Sequence, residues 1–245
     1  MIIEQLQPIT AIIVFIIIFA AIFTQTVTGF GLALVSMPLL VLILPIQVAT
    51  PLVALVGGLA EALLLLKYRE AFNFRAVLVL IAASMVGIPF GVYLLGEVDE
   101  GIVTAVLGVM VVVYALYALL GFNPPQLAHR GWAVLFGLVG GILGGAYNTS
   151  GPPVIIYGSC RRWPPAEFKS NLQGFFLVAS ITIIVTHFLN GNFTPTVWHH
   201  FLVAVPAVLL ALFVGFHLDQ YLDPLRFRKI VLIALVILGI GLIVL

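Results

Sequence analysis

Long apolar runs fill nearly the whole chain, interrupted only by short clusters of Gly, Pro and charged residues. The breaks define ten hydrophobic segments: Ile9–Phe23, Phe30–Leu44, Val48–Leu66, Phe74–Leu95, Ile102–Leu120, Trp132–Ala146, Pro153–Cys160, Phe168–Phe188, Thr196–Leu218 and Phe227–Leu245. Segments 3, 4, 5, 8, 9 and 10 have about 19–23 residues, enough to cross a hydrocarbon core of about 30 Å as helices. Segments 1, 2 and 6 are short, and segment 7 is far too short. The pattern predicts an all-α polytopic membrane protein with about ten membrane segments.

Segments 6 and 7 lie between Arg130 and Arg161. The residues separating these arginines make about 45 Å of helix at ~1.5 Å each, whereas two full crossings need about 60 Å. The pair therefore predicts a hairpin that breaks or turns back within the membrane. Segments 1 and 2 fit the same plan under less pressure. Irregular backbone at that depth is tolerated only inside protein or beside a wet cavity.

Composition agrees: 63% of the 245 residues are hydrophobic, 8% are charged, and the mean hydropathy is +1.27. This excludes most soluble enzymes, and a net charge of +1 without a basic patch excludes nucleic-acid binding. The one cysteine, Cys160, excludes an intramolecular disulfide and a cysteine metal cluster. With Glu4 in place of a basic leader, the N-terminus does not read as a cleaved secretory signal.

The few charges orient the chain. Lys67, Arg69 and Arg75 fall between segments 3 and 4, Arg130 between 5 and 6, Arg161, Arg162 and Lys169 between 7 and 8, and Arg226, Arg228 and Lys229 between 9 and 10. Ten segments place all of these basic residues on one side, which is the cytoplasmic one by the positive-inside rule. Glu4, Glu97, Asp99 and Glu100 fall on the other side, so both termini are expected to face outward.

The chain also resembles itself. Thr28-Gly29 and Ser150-Gly151 each precede an apolar stretch with proline, Asn73-Phe74 matches Asn192-Phe193, and Gly91 and Asp99 match Gly215 and Asp223, all in the same order. These matches predict two repeats, 1–122 and 123–245. Each has five segments, an odd number, so the repeats are inverted, the plan of many secondary transporters with midplane sites at broken helices.

Two polar breaks carry the candidate chemistry. The first is Thr24-Gln25-Thr26-Val27-Thr28-Gly29-Phe30-Gly31, and the second is Tyr147-Asn148-Thr149-Ser150-Gly151-Pro152-Pro153. Ser150 or Thr149 suits an N-cap, and the prolines suit a first helical turn. Helices starting inside the membrane at both breaks would aim backbone N–H groups and positive dipole ends at one central volume, a site for an anion. The hydroxyls of Thr26, Thr28, Thr149 and Ser150 and the amides of Gln25 and Asn148 would complete the donor set, with no Lys or Arg inside the membrane. Glycines at 137, 141 and 145, and at 140 and 144, read instead as small-residue helix packing.

Glu61 is the one acidic residue well inside a span, about 9 Å from the Lys67 end of segment 3 at ~1.5 Å per residue. It reads either as a proton-coupling site or as a structural carboxylate paired with a basic residue at the rim or facing a wet vestibule. His187, His199 and His200 have no metal-ligand spacing, and with Trp198 they read as an interfacial belt. No metal and no cofactor is expected.

The run Gln25–Leu40 resembles the first signature of the sulfite exporter TauE/SafE family, and Gly144–Pro153, continuing to Tyr157, resembles the second. Trp163-Pro164-Pro165-Ala166-Glu167-Phe168-Lys169 is similar to the family's following loop. Phe30 and Leu32 depart from the most glycine-rich form of the first signature. The resemblance implies a bacterial inner-membrane permease for small anions such as sulfite, sulfonates or other organosulfur anions. The reading is therefore a secondary transporter working by alternating access. Gln25, Thr26, Thr28, Gly29, Phe30, Gly31, Tyr147, Asn148, Thr149, Ser150, Gly151 and Pro152 form its substrate site, with H+ or Na+ as coupling ion and Glu61 as the proton candidate. A homo-oligomer in the lipid bilayer is compatible with it. The alternative is a channel or a non-transporting membrane subunit. An intramembrane enzyme is disfavoured because Ser150 and Thr149 have no nearby base in sequence.

Overall fold

The structure is a computed structural model describing residues 2–121, 125–127, 129–218 and 221–244, and the side chains of these apart from 2–7 and 224. The division at 122/123 and the side chain of Glu4 fall outside the described residues.

Among the described residues the regular elements are ten α-helices and one 3-10 turn: α1 (Ile2–Thr28), α2 (Leu32–Leu40), α3 (Ile46–Tyr68), the turn Arg69–Ala71, α4 (Phe74–Glu97), α5 (Glu100–Leu119), α6 (Trp132–Tyr147), α7 (Gly151–Cys160), α8 (Pro165–Leu189), α9 (Pro195–Leu218) and α10 (Pro224–Val244). Seven are long and apolar enough to cross a membrane: α1, α3, α4, α5, α8, α9 and α10. The chain is a multi-pass membrane protein.

The helix ends follow ordinary capping chemistry. Asp99 accepts from the N–H groups of Gly101 and Ile102 at the start of α5, and Asn73 accepts from Ala76 at the start of α4. Glu100 reaches across to the Ile46 N–H at 2.8 Å and so caps α3 from α5.

Segment 1 runs further than its apolar stretch predicts. The polar run Thr24–Thr28 stays helical, with its threonine hydroxyls satisfied on the helix's own carbonyls: Thr24 on Ala20 O, Thr26 on Ile22 O and Thr28 on Thr24 O, at 2.8–2.9 Å. This makes α1 long enough to cross without α2. By contrast α6 and α7 remain short, with 16 and 10 residues. Segment 2 begins at Leu32 rather than Phe30, because Gly29 and Gly31 both take positive φ, 86° and 123°, and hold the chain out of the helix.

Helices α3 and α8 pack on each other at the centre and are the two most buried spans. Around them α1 packs on α9, α4 on α6 and α5 on α10. The partners correspond when the first five helices are exchanged with the last five: α1 on α9 corresponds to α6 on α4, α3 on α9 to α8 on α4, and α1 on α2 to α6 on α7.

The α4–α6 contact is made of backbone against backbone. A Cβ at Gly137 would lie 2.5 Å from Leu80 O, and Gly141 and Gly145 sit directly against Ser84 O and Ile88 O. In return Gly87 lies against the Leu138 carbonyl and Gly91 against that of Ile142. The spacing of these glycines is thus explained by close helix approach. Gly140 and Gly144 face the other way, toward Val154 and Ser150.

Candidate functional site

Both breaks close their leading helix with a left-handed residue. Gly29 (φ 86°) ends α1, and Asn148 (φ 54°) ends α6. At the second break Asn148 N–H donates to Gly144 O, the single bond of an αL close, and Thr149 N–H reaches one residue further back to Leu143 O. Asn tolerates this conformation better than other side chains. In this register Asn148 takes the place of Gly29, and not Ser150-Gly151 that of Thr28-Gly29. Gly29 and Asn148, and Leu32 and Gly151 at the following helix starts, are each 119 positions apart, as are Glu61 and Ser180.

Backbone freed at the first break is satisfied by side chains of α1 and α8, and the second break is tied through its Asn148 side chain to the backbone of α3. At the first break Gln25 accepts from the Leu32 N–H at 3.0 Å and donates to Gln173 Oε1 at 3.4 Å, while Gln173 donates to Gly29 O at 2.7 Å. At the second, Asn148 donates to Thr50 O at 2.6 Å. Gln25, Gln173 and the Thr50 carbonyl thus pair polar groups of the breaks as water does at a surface.

Between the breaks lies a cavity of about 30 Å³, room for about two waters. It is lined by Gln25 from α1, by Gly31 through Leu34 at the start of α2, by Asn148, Thr149 and Gly151 at the start of α7, and by Val53, Gly57, Glu61, Phe176 and Ser180 from α3 and α8. The N-terminal turns of α2 and α7 therefore share one small volume. Neither has a side-chain cap from its own N-cap residue, Gly31 or Ser150. First-turn N–H groups have no intrahelical acceptor: α2 offers those of Ala33 and Leu34, Leu32 being held by Gln25, and α7 offers that of Gly151, since Pro152 and Pro153 carry none, so each end brings a donor and a positive dipole here. Glu61 is buried opposite them, accepting a hydrogen bond of 2.6 Å from the Ser180 hydroxyl.

The structure thus brings Gln25, Gly31, Asn148, Thr149, Gly151 and Glu61 to one cavity. The remaining predicted residues stand behind it. Thr26 bonds Ile22 O and packs its methyl against Gly215 of α9. The Thr28 hydroxyl lies 2.9 Å from Thr24 O and 2.5 Å from Phe30 O, and Gly29 lies against the Lys169 side chain. Phe30 makes an edge contact with Tyr114, Tyr147 is buried, and Pro152 lines an apolar cavity against α5 and α6. The expected caps do not form: Thr149 donates to Tyr147 O, and the Ser150 hydroxyl lies buried against Gly144 without a partner. Ser150 adopts helical dihedrals, which point its side chain away from the N–H groups an N-cap would serve.

Sequence reasoning missed Gln173, Ser180 and Thr50. The offset that relates the two breaks would have found Ser180 from Glu61. It also missed that a cation enters the protein. From the first turns of α10 the Arg228 guanidinium reaches over the Phe30 ring, 5.2 Å from its centre. Its stem is long enough to run inward from a basic loop. Among the described residues no three His, Cys, Asp or Glu side chains come together to hold a metal.

Gln25→Leu leaves the Leu32 N–H and the Gln173 Oε1 without their partner in a buried place, while Gln173 keeps its bond to Gly29 O. This is expected to cost about 1–3 kcal/mol and to lower the thermal unfolding temperature of the purified protein.

Apolar spans enclosing two discontinuous helices around a polar cavity are the build of a membrane transporter. The sulfite exporter TauE/SafE family model matches residues 14–242, and the chain belongs to that family of membrane transporters. It is similar to the probable sulfite/organosulfonate exporter TauE of Cupriavidus necator, with 27% identity over 91% of this chain and 88% of that protein. It is also similar to the probable inner membrane transporter protein TsaS of Comamonas testosteroni, with 25% identity over 72% of this chain and 74% of that protein. No solved structure matches it.

Proposed function

We propose that this transporter is a secondary permease for a small anion, of which sulfite, a sulfonate or another organosulfur anion is the first class to test. The observation that carries the reading is the shared cavity at the N-terminal turns of α2 and α7. The relatives named for sulfite, organosulfonate or inner-membrane transport support the substrate class and a bacterial inner-membrane location. Helix ends and neutral amides hold an anion without a fixed cation at the cavity wall, so the anion is able to leave again.

The chain is read as two inverted repeats of five helices with the basic loops cytoplasmic. The correspondence of packing partners and of the breaks supports this. A cavity with room for about two waters is contracted around the site. Binding an anion of several heavy atoms requires α2 or α7 to move, which is the local step of alternating access. Glu61 faces the same cavity and is the proton-coupling residue of this scheme.

Counterflow in proteoliposomes tests the reading. Vesicles loaded with unlabelled sulfite or a sulfonate are expected to accumulate the labelled anion saturably. Folded protein that moves none of a panel of small anions contradicts it, and non-saturable flux favours the channel reading.

A further inference from the structure

Arg228 borders two cavities that the central site does not use. One, of about 10 Å³, runs behind the first break past Thr28, Phe30 and Gly31. The other, of about 200 Å³, lies between α5, α7 and α10, lined by Tyr114, Tyr117, Ile155, Ser159 and Arg228 among others. No carboxylate lines either one among the described residues. The Arg228 Nε is buried without a hydrogen-bond partner, and so is the phenol oxygen of Tyr114, a residue only 4% exposed.

A guanidinium Nε buried among apolar helices, with no carboxylate at either cavity among the described residues, is costly unless something neutralises the charge. Stacking on Phe30 recovers part of the cost but leaves the Nε–H unused. The Tyr114 phenol lies beside the Arg228 guanidinium, and its O–H and the unpartnered Nε–H on one roomy cavity form a donor set for an oxyanion. Acetate-like, sulfonate and phosphate groups all present such oxygens, and the fork of Arg suits them.

We propose that the cavity at Arg228 and Tyr114 is a second oxyanion site, separate from the central cavity, that takes a sulfonate or phosphate group. The group comes either from a soluble anion, which would make the site a station on the way to Gly31, or from the headgroup of an anionic lipid. The existence of the site does not depend on the transport reading. Only its role as a station rests on that reading.

Fluorine NMR of trifluoromethanesulfonate, with the purified full chain in phosphatidylcholine nanodiscs, tests the site. Wild type is expected to bind the probe. Arg228→Gln is expected to weaken binding at least about tenfold and Tyr114→Phe about three- to tenfold, the range for losing a charged and a neutral donor. Nanodiscs with added phosphatidylglycerol separate the sources: displacement of the probe identifies a lipid headgroup, and undisturbed binding a soluble anion. Elution and helical circular dichroism check that the variants are folded. If Arg228→Gln does not fold, the near-isosteric Tyr114→Phe decides. Wild-type affinity in a folded Arg228→Gln or in Tyr114→Phe, or no binding of probe or phosphatidylglycerol by wild type, overturns the site. Absent counterflow with Arg228-dependent binding intact overturns the transport reading and leaves the site standing.

Discussion

Gly145→Leu is expected to leave almost no folded transporter in the membrane. Gly145 sits on α6 directly against the Ile88 carbonyl of α4, so a side chain there meets backbone and not the movable end of another side chain. The neighbouring contacts are of the same kind: Gly141 lies on Ser84, Gly91 on the Ile142 carbonyl, and Gly87 on that of Leu138. Leucine can be accommodated only by separating the two helices along most of their length. Overpacking a tight site typically costs 1–3 kcal/mol, and a contact backed by main chain on both sides belongs at or above about 3 kcal/mol. The loss should appear as aggregated material in size-exclusion profiles of detergent-solubilised protein. Gly96→Leu, at a position with open space around it, is the matched control and is expected to elute as wild type.

Glu61→Gln is expected to abolish the stimulation of anion flux by a pH gradient while retaining counterflow, which needs no net coupling. Glu61 is 6% exposed, shares the cavity with both helix starts and is held by Ser180. A glutamine keeps the shape and the hydrogen bond but carries no titrating proton. A carboxylate this close to the anion site makes the two charges compete unless a proton arrives with the anion. In the proposed scheme proton and anion binding are linked through distance alone. Ser180→Ala, which removes one bond to the carboxylate, should shift the pH dependence of flux without removing it. Wild-type stimulation by a pH gradient in Glu61→Gln would assign Glu61 a structural role.

Much of the fold was legible in the sequence because a bilayer punishes every broken hydrogen bond. The long spans, the short α6–α7 pair and the glycine stripe at 137, 141 and 145 all follow from that constraint. The extent of α1 was not legible. Thr24–Thr28 reads as a break by polarity, yet threonine hydroxyls can serve their own helix, and only the structure shows that they do. At the site, Gln25, Asn148 and Glu61 stood out as polar residues in apolar surroundings. Gln173 and Ser180 did not, because a single polar residue on a long helix gives no sign of the direction it faces. Arg228 was hidden differently: it belongs by sequence to a basic loop cluster, and its inward course follows the Phe30 ring and the cavity that Tyr114 lines. Ser150 was credited with a cap that its dihedrals do not allow.

The central claim is that an anion binds between the starts of α2 and α7. Ala33 lines that cavity, and Cys160, the single cysteine, is buried. A cysteine at Ala33 in a Cys160→Ser background therefore offers one reporter thiol. The measurement is its rate of modification by N-ethylmaleimide in proteoliposomes, with and without an anion the same preparation exchanges. The account predicts that the anion slows labelling with the concentration dependence of its own counterflow, while a cysteine at the exposed Trp198 is labelled at an unchanged rate. Labelling at Ala33→Cys that is indifferent to a saturating concentration of a transported anion would contradict it.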